Sequence, residues 1–342
     1  MSMTAVRLHG ISDLRVEQVP QPSSPPPGQV LLRLLAAGIC GSDLHNYRTG
    51  MWLSHLPVTP GHEFCAEVAA VGENVTSVTE GDRVVVDSRV YCGVCDNCQA
   101  GKNNLCNQLG FVGEVCDGAF AEWSLQPAHR LIRVPDGVPA TVAALAEPLG
   151  VALRVVNRVR PVKGEPILVA GGGTIGGLVA LLLADQGMGP VLLVERHEAR
   201  SQLLSKVCGV QPVALDADEI IRAAGRLPRL AVEATGSGEV LQSLIDCIAS
   251  GSRIAMVGLF HGNAALDVNA LVEREIDLVG CSVFRDEQHQ AVALLPRLSS
   301  RLAQLMEAPI ELESVPERYT SLIQEGSDRL KSIVVATKGD SR

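Results

Sequence analysis

The chain has 342 residues, 46% of them hydrophobic and 20% charged, a balance that argues against extended disorder and allows two domains. Its net charge of −9 argues against a nucleic-acid partner, because a surface that binds phosphates must be basic. Residues 1–10 lack the basic and apolar regions of a signal peptide, and the longest apolar run, residues 175–184, is about half the roughly 20 residues that a membrane span needs. We therefore expect a cytoplasmic protein with no membrane partner.

The first 133 residues contain short apolar runs separated by glycine and proline, which is typical of β-strands. The strands are predicted within residues 6–19, 30–37, 64–71, 75–78 and 84–86, with an extended connector over 20–28. The strand over residues 30–37 delivers Cys40 to its end. A loop is predicted between Cys40 and His62.

Strands and helices alternate after Pro139. We predict strands at 167–170, 191–195, 230–233 and 253–257, and helices at 140–159, 178–186, 197–207 and 240–248. This alternation indicates a doubly wound parallel sheet of the α/β class. A helix over 287–305 and a strand over 332–336 follow it.

Three metal-binding side chains lie close together in sequence: Cys40, His62 and Glu63. A thiolate, an imidazole and a carboxylate can bind zinc and leave a fourth position open for a substrate oxygen. The sequence therefore predicts a catalytic zinc site.

Four further cysteines follow the spacing C-x2-C-x2-C-x7-C: Cys92, Cys95, Cys98 and Cys106. Four thiolates can close a tetrahedron around zinc with no open position, which makes a structural site. A secreted disulfide framework would suit a smaller chain with a secretory signal. Iron–sulfur ligation is the rival, since C-x2-C-x2-C also occurs in ferredoxins, but the x7 gap and the lack of a proline after the last cysteine argue against it. A zinc ribbon for nucleic acid conflicts with the acidic balance.

A glycine-rich segment follows the strand predicted at 167–170. It fits G-x-G-x-x-G and opens a helix, so its backbone can approach a pyrophosphate at the helix N-terminus; its residues are Gly171, Gly173, Thr174, Ile175 and Gly176. Glu195, at the end of the next strand, can accept hydrogen bonds from a ribose 2′-hydroxyl, which favours NAD. Arg196 and Arg200 leave NADP open, since either can meet a 2′-phosphate.

Taken in order, these motifs resemble the zinc-dependent medium-chain dehydrogenases of the alcohol dehydrogenase superfamily. The resemblance rests on C-G-S-D-x-H from Cys40, G-H-E ending at Glu63, the four cysteines, E-P-L-G-V-A-L from Glu147 and the glycine loop. The chain is most similar to the polyol branch, which includes sorbitol, xylitol and L-idonate dehydrogenases. One departure is Asn46, because polyol enzymes often carry tyrosine directly after the histidine of the first motif.

The resemblance implies two domains. A GroES-like, β-rich catalytic domain would comprise residues 1–148 and 286–342, with a structural-zinc lobe at about 90–108. A Rossmann domain that binds NAD would comprise residues 149–285. The chain would hold two zinc ions, one catalytic and one structural.

The resemblance also implies roles for individual residues. Cys40 and His62 would bind the catalytic zinc, and Glu63 and Glu147 would take turns as the third ligand. In the alternative, both residues have structural roles only: Glu63 pairs with an arginine, and Glu147 caps the segment before Pro148. Residues that would line the nucleotide and the mouth of the active site are Ile175, Glu195, Arg200, Val257, Gly258, Leu259, Val283, Phe284 and Arg285.

The expected function is transfer of hydride from a secondary hydroxyl of a polyol or sugar acid to NAD. Ser42 would receive the released proton and His45 would pass it outward, unless His45 is only a surface histidine on a loop. The alternatives are a secondary-alcohol, 2,3-butanediol or threonine dehydrogenase, and a redox sensor that binds zinc and nucleotide without catalysis. We expect a small-molecule substrate and a homo-oligomer, a dimer or a tetramer, in which an exposed strand near residues 253–259 and the apolar segment after it pair between Rossmann domains.

Overall fold

The computed structural model describes residues 1–336 and divides them into two compact units. The first unit contains Met1–Glu147, Gln288–Ser327 and the described residues from Lys331 onward. The second contains Pro148–Glu287 and Asp328–Leu330. Residues 337–342, the end of the segment expected at 286–342, lie outside the described residues.

The elements up to the first unit's boundary are mostly short strands. They are β1 Ser2–Gly10, β2 Asp13–Pro20, β3 Gln29–Gly38, α1 Gly41–Thr49, β4 Glu63–Val71, β5 Arg83–Val86, β6 Arg89–Val90, α2 Asp96–Gln99, β7 Gly110–Phe111, β8 Trp123–Pro127, β9 Leu131–Arg133 and α3 Ala140–Ala143.

Strands and helices then alternate. They are α4 Ala146–Val159, β10 Lys163–Ala170, α5 Thr174–Asp185, β11 Gly189–Val194, α6 Glu198–Cys208, β12 Gln211–Pro212, α7 Ala217–Ala224, β13 Leu230–Glu233, α8 Gly238–Asp246, β14 Arg253–Met256, α9 Val268–Glu273 and β15 Asp277–Gly280. The chain ends with α10 Glu287–Leu305, β16 Ile310–Glu311, α11 Val315–Gln324 and β17 Ile333–Val335.

The first unit is built on a seven-stranded sheet. Its order is β16-β17-β3-β4-β5-β9, and β8 also pairs with β3. Val30, Leu32 and Phe64 lie in its core and Tyr319 of α11 packs into the same cluster. Because β17 pairs with β3, Ile333 and Val334 lie beside the strand that leads to Cys40. The sheet thus delivers residues from both ends of the sequence to one place.

The second unit contains a six-stranded parallel sheet in the order β12-β11-β10-β13-β14-β15. Counted within the unit this is the order 3-2-1-4-5-6, which defines the classic dinucleotide-binding fold. Its central strand β10 is buried from Pro166 to Ala170, as expected for a strand covered on both faces. The predicted doubly wound sheet is therefore confirmed.

Several local predictions were wrong. Residues 75–78 are a loop, in which buried Val78 anchors a turn and Thr79 donates its N–H to Asp82. The helix predicted over 140–159 is two helices with a break at 144–145, and Pro148 is tolerated because it lies in the first turn of α4, where backbone N–H groups need no helical acceptor. The strand near residues 253–257, predicted to be open for pairing between copies, is internal to the sheet; β15 is the edge.

Among the described residues, no helix combines the length and apolar character that crossing a membrane requires.

Candidate active site

Cys40 stands directly before helix α1, where a loop was predicted. Its backbone N–H donates to the Asp43 carboxylate at 2.8 Å, so Asp43 satisfies a donor at the helix start. Gly50, in the left-handed conformation at φ 65°, ends the helix. This helix has little apolar periodicity, which explains why the sequence pattern missed it.

The second oxygen of Asp43 approaches His62 from the other side. The distance from Asp43 Oδ1 to His62 Nδ1 is 3.5 Å, and both side chains are buried. Burial opposes a charge on the ring, but the Asp43 carboxylate and the Cys40 thiolate raise the pKa of His62 well above its ordinary value. Asp43 is a residue of the candidate site that was not predicted from the sequence; its position three residues after Cys40 was the available signal.

Cys40, His62 and Glu63 each offer one ligand atom, and these atoms lie within 4.8 Å of one another. A thiolate, an imidazole and a carboxylate are the donor types that zinc takes in catalytic sites. The residues therefore fit a zinc ion.

Glu63 is bound by Lys331. The ammonium nitrogen lies 2.8 Å from Oε1 and 2.7 Å from Oε2 of Glu63, and it also donates to the carbonyl of Ile39 at 3.0 Å. The expected alternative partner was an arginine; the structure supplies a lysine 268 residues away in sequence. No local pattern could have indicated this contact.

Glu147 is buried in the same unit but lies outside the 4.8 Å group. Its Oε1 accepts a hydrogen bond from Ser88 Oγ at 2.8 Å. Burial raises the pKa of Glu147 to about 7; His62 and Lys331 lower it and Glu63 raises it. The charges of His62 and Glu63 therefore act on the Glu147 carboxyl group.

The two residues assigned to proton transfer, Ser42 and His45, both lie on α1. Ser42 is half-buried, and His45 is 5% exposed. The His45 ring lies against Trp52, with ring centroids 4.5 Å apart. His45 is therefore a buried residue on a helix, and the alternative of a surface histidine on a loop was wrong.

Asn46 connects α1 to a second buried acid. Its Nδ2 donates to Glu114 Oε1 at 3.1 Å, and its Oδ1 accepts the N–H of Trp52 at 3.2 Å. Burial raises the pKa of Glu114 to about 7; His62 lowers it and Asp43 raises it. The sequence analysis missed Glu114, which is 68 residues from its partner.

The four cysteines of the predicted lobe come together. The ligand atoms of Cys92, Cys95, Cys98 and Cys106 lie within 4.8 Å of one another. Backbone hydrogen bonds from Asn107 and Cys98 lower the pKa of Cys95 to about 6, and such bonds from Cys92 and Gln108 lower that of Cys106. Burial raises the pKa of Cys98 to about 12. Thiolates held by backbone N–H groups fit a closed zinc site.

The glycine loop lies between β10 and α5. Gly171 has φ 98°, and a Cβ on Gly176 would lie 1.8 Å from the carbonyl oxygen of Gly171. Only glycine allows this approach. Gly173 precedes α5, and Thr174 Oγ1 donates to the Leu330 carbonyl at 2.5 Å. Ile175 lies in the first turn of the helix.

Glu195 follows β11 and contacts the glycine loop. Its Oε2 accepts the N–H of Gly172 at 2.6 Å, and its Oε1 accepts from the N–H of His197 at 2.7 Å and from Arg200 at 3.1 Å. Arg196 is exposed. The acid therefore lies beside the loop, as a ribose-binding carboxylate should.

The remaining predicted nucleotide residues fall in two loops. A Cβ on Gly258 would lie 2.2 Å from the backbone nitrogen of Gly236, whereas Leu259 is 55% exposed. Val257 donates its N–H to Glu233. In the second loop Val283 has φ 36°, Phe284 is fully buried and Arg285 is exposed.

Comparison with known proteins agrees with this geometry. Residues 26–136 match the family described as alcohol dehydrogenase GroES-like domain, and residues 174–300 match the family described as zinc-binding dehydrogenase. An L-threonine 3-dehydrogenase of Chelativorans sp. is 34% identical over 78% of this chain and 79% of its own length. The chain belongs to the zinc-binding alcohol dehydrogenase family.

Two solved structures share the fold over almost the whole chain. The 2R,3R-butanediol dehydrogenase of Bacillus subtilis is 30% identical with a TM-score of 0.90, and covers 98% of this chain and 100% of its own. A zinc-binding dehydrogenase of Sinorhizobium meliloti bound to NADP is 26% identical with a TM-score of 0.91, and covers 98% and 99%.

The predicted family, fold class and enzyme class are thus confirmed. This zinc-binding alcohol dehydrogenase joins a GroES-like domain to a Rossmann-type domain and is an NAD(P)-dependent oxidoreductase of CH–OH groups.

Proposed function

We propose that this enzyme oxidises a secondary hydroxyl of a polyol or sugar acid with NAD. The observation that carries the proposal is the convergence of Cys40, His62 and Glu63 within 4.8 Å, with the coupled carboxyl of Glu147 buried nearby. A second carboxylate in place of a second thiolate is the arrangement that the resemblance to the polyol branch implies.

The protein groups hold the metal and shape its surroundings. Cys40 and His62 are the constant ligands, and Glu63 and Glu147 supply the carboxylate in turn. When bound, zinc supplies Lewis-acid chemistry that lowers the pKa of an alcohol, and the nicotinamide supplies the hydride acceptor. Asp43, 3.5 Å from Nδ1 of His62, would orient the ring of this ligand.

The proton of the alcohol leaves through residues of α1. Ser42, two residues past Cys40, receives it on Oγ, and His45 passes it outward. The buried ring of His45, held against Trp52, keeps a fixed position for this transfer.

NAD is the proposed cofactor because Glu195 lies beside the glycine loop and would repel a 2′-phosphate. The remaining loop residues, from Val257 to Leu259 and from Val283 to Arg285, are proposed to line the nucleotide. The reduced cysteines of the metal sites suit a cytoplasmic enzyme.

A 2,3-butanediol or threonine dehydrogenase is the second candidate. It is favoured by Asn46, which binds the Glu114 carboxylate at the position where polyol enzymes often carry tyrosine. A relative named L-threonine 3-dehydrogenase and a solved butanediol dehydrogenase match this chain at 30% identity or more.

We also propose that the enzyme is a homo-oligomer. The edge strand β15 has no partner on one side within the described chain, and Leu259, Val268 and Val272 of the same unit expose 55%, 63% and 72% of their surface. An open edge with apolar neighbours can pair with a second copy. Sedimentation of the zinc-loaded protein checks this, and a monomer would contradict it.

The experiment for the activity is a substrate panel of polyols, aldonates, diols and threonine, offered with NAD and NADP side by side. We expect NAD reduction with at least one of them, and His62→Ala should abolish turnover while NAD still binds. A zinc-loaded protein that binds NAD but oxidises none of these alcohols would contradict the proposal and favour a sensor.

A further inference from the structure

Glu114 belongs to a loop that is fastened to the metal-binding segment. A Cβ on Gly113 would lie 2.8 Å from the backbone nitrogen of Gly61, and one on Gly118 would lie 2.2 Å from the Gly61 carbonyl oxygen. Glycine at both positions lets the loop pack directly against the residue before His62. The backbone around Glu114 is therefore fixed relative to the proposed ligand.

The side chain of Glu114 is hydrogen-bonded through one of its two carboxyl oxygens. Oε1 accepts the amide of Asn46 at 3.1 Å, and the Glu114 carbonyl accepts the N–H of Ser54 at 3.2 Å. Oε2 has no hydrogen-bond partner among residues 1–336, although the residue is only 5% exposed. Oε2 is not fully buried, so it remains accessible to a hydrogen-bond donor from a ligand or from water.

Asn46 also places this carboxyl group beside the reaction centre. Asp43 and Asn46 are three residues apart on α1, so they share one face of the helix. Asp43 contacts His62, and Asn46 holds Glu114. The charges of His62 and Asp43 both act on the Glu114 carboxyl group.

The charges around the reaction centre limit the substrate. Asp43, Glu63, Glu147 and Glu114 are buried acids of this unit, and the buried amine among them, Lys331, is already bound by Glu63. An anionic substrate group beside Glu114 would meet a like charge, and the one side-chain cation of this set is already paired with Glu63. A neutral or cationic hydrogen-bond donor would be attracted.

We propose that Glu114 is a specificity-determining residue, whose Oε2 accepts a hydrogen bond from a hydroxyl or ammonium group on the carbon next to the one oxidised. This inference rests on the proposed dehydrogenase function and narrows it to vicinal diols, neutral polyols or amino alcohols. Carboxylate-bearing substrates such as sugar acids are disfavoured.

The test uses four alcohols with one carbon skeleton and different second groups. They are 2-butanol, 2,3-butanediol, 3-amino-2-butanol and 3-hydroxybutyrate. The zinc-loaded wild-type enzyme is compared with Glu114→Leu, which removes the acceptor, and with Glu114→Gln, which keeps an acceptor without charge. Glu73→Gln, at an exposed turn, is the matched control for a lost negative charge.

We expect Glu114→Leu to lower kcat/KM for the diol relative to 2-butanol by roughly 10- to 100-fold, the effect of one hydrogen bond to a charged group. Glu114→Gln should retain most of the diol preference and raise the relative use of 3-hydroxybutyrate. If Glu114→Gln loses activity toward the amino alcohol alone, the donor is an ammonium group. If it keeps its activity toward both the diol and the amino alcohol, the donor is a hydroxyl group. Glu73→Gln should change no ratio.

An unchanged diol preference in zinc-loaded Glu114→Leu would overturn the proposal, as would a wild-type preference for 3-hydroxybutyrate. If Glu114→Leu fails to fold, Glu114→Gln provides the test: a raised relative use of 3-hydroxybutyrate supports the proposal, and an unchanged one overturns it. If the wild-type enzyme oxidises none of the alcohols, the proposed function fails. Calorimetric binding of 2,3-butanediol and 2-butanol to zinc- and NADH-loaded protein then tests Glu114 separately, and equal affinities would overturn its role.

Discussion

The ammonium group of Lys331 and the carboxylate of Glu63 form an ion pair at 2.7 Å, with side chains only 2% and 1% exposed. Gly38 of β3 pairs with Ile333 of β17 on one side and with Glu63 of β4 on the other, which brings Lys331 and Glu63 together although they are 268 residues apart. Lys331 thereby supplies the counter-charge of a buried carboxylate that lies beside Cys40 and His62. In the proposed zinc site, Lys331 would compete with the metal for the oxygens of Glu63.

Removing Lys331 should strongly destabilise the first unit. Lys331→Met leaves the Glu63 carboxylate buried without its cation, which costs about 3–5 kcal/mol of unfolding free energy. The double variant Lys331→Met/Glu63→Gln removes both charges and should recover most of that loss. Denaturant unfolding of both variants measures the difference; equal destabilisation in the two would contradict a charge-based explanation.

Glu63 and Glu147 should replace one another at the catalytic zinc. Glu63 lies within the ligand group, whereas Glu147 is held by Ser88 and coupled to Glu63 through its charge. We expect Glu63→Gln and Glu147→Gln each to retain two zinc ions per chain with reduced turnover, and the double variant to retain one. Metal analysis after dialysis checks this, and complete loss of the catalytic zinc in one single variant would identify one permanent ligand.

The four-cysteine lobe should behave as an independent metal site. Cys98→Ser should lower the metal content by one zinc per chain. It should also lower the unfolding temperature, because zinc would cross-link the short elements of the lobe. Cys208→Ser, outside either group, should keep both ions. A Cys98→Ser protein with full zinc content would rule out the structural site.

Sequence reasoning succeeded where the chemistry is local. The glycine loop and Glu195 are 24 residues apart within one β-α-β unit, and the cysteine cluster is contained in fifteen residues, so spacing alone specifies both. Glu114 and Lys331 were missed because their contacts, with Asn46 and Glu63, cross 68 and 268 residues. Such contacts are set by strand register and loop packing, which no local pattern encodes.

Helix α1 was not predicted from the sequence, for a related reason. Helix α1 lacks an apolar stripe because its buried positions are Asp43, His45 and Asn46, which serve the site rather than the core. A pattern based on apolar periodicity cannot recognise a helix whose inward face is polar. The error thus occurred at the functional centre, where local rules are expected to fail.

Glu195 should determine the preference for NAD. Its carboxylate lies against the glycine loop through Gly172, while Arg196 and Arg200 lie near enough in sequence to meet a phosphate. Glu195→Ser should raise kcat/KM for NADP relative to NAD by at least about tenfold, because the repulsion of a 2′-phosphate is removed. Glu198→Gln, on the exposed start of α6, should leave the ratio unchanged. A wild-type preference for NADP would reverse the assignment.

Glu287 should make the stability of the second unit depend on pH, with a loss of stability at acidic pH. Its oxygens accept the N–H groups of Arg285 and Asp286 at 2.6 and 3.1 Å and side-chain bonds from Arg154 and Asn157. Burial alone would raise the pKa of Glu287, but these hydrogen bonds lower it below its ordinary value. The unfolded state therefore takes up the proton first, so the stabilisation is present above about pH 4.5 and is lost as the pH falls through the folded pKa.

We expect Glu287→Gln to lose about 1–3 kcal/mol of unfolding free energy at pH 7, the effect of removing a charged acceptor. The difference from the wild-type protein should shrink as the pH falls below 4.5, because the wild-type carboxylate is then protonated as well. Urea unfolding between pH 3.5 and pH 7 measures this, with Glu198→Gln as the control for an exposed carboxylate. A pH-independent difference would show that Glu287 stabilises the unit by packing and not by its charge.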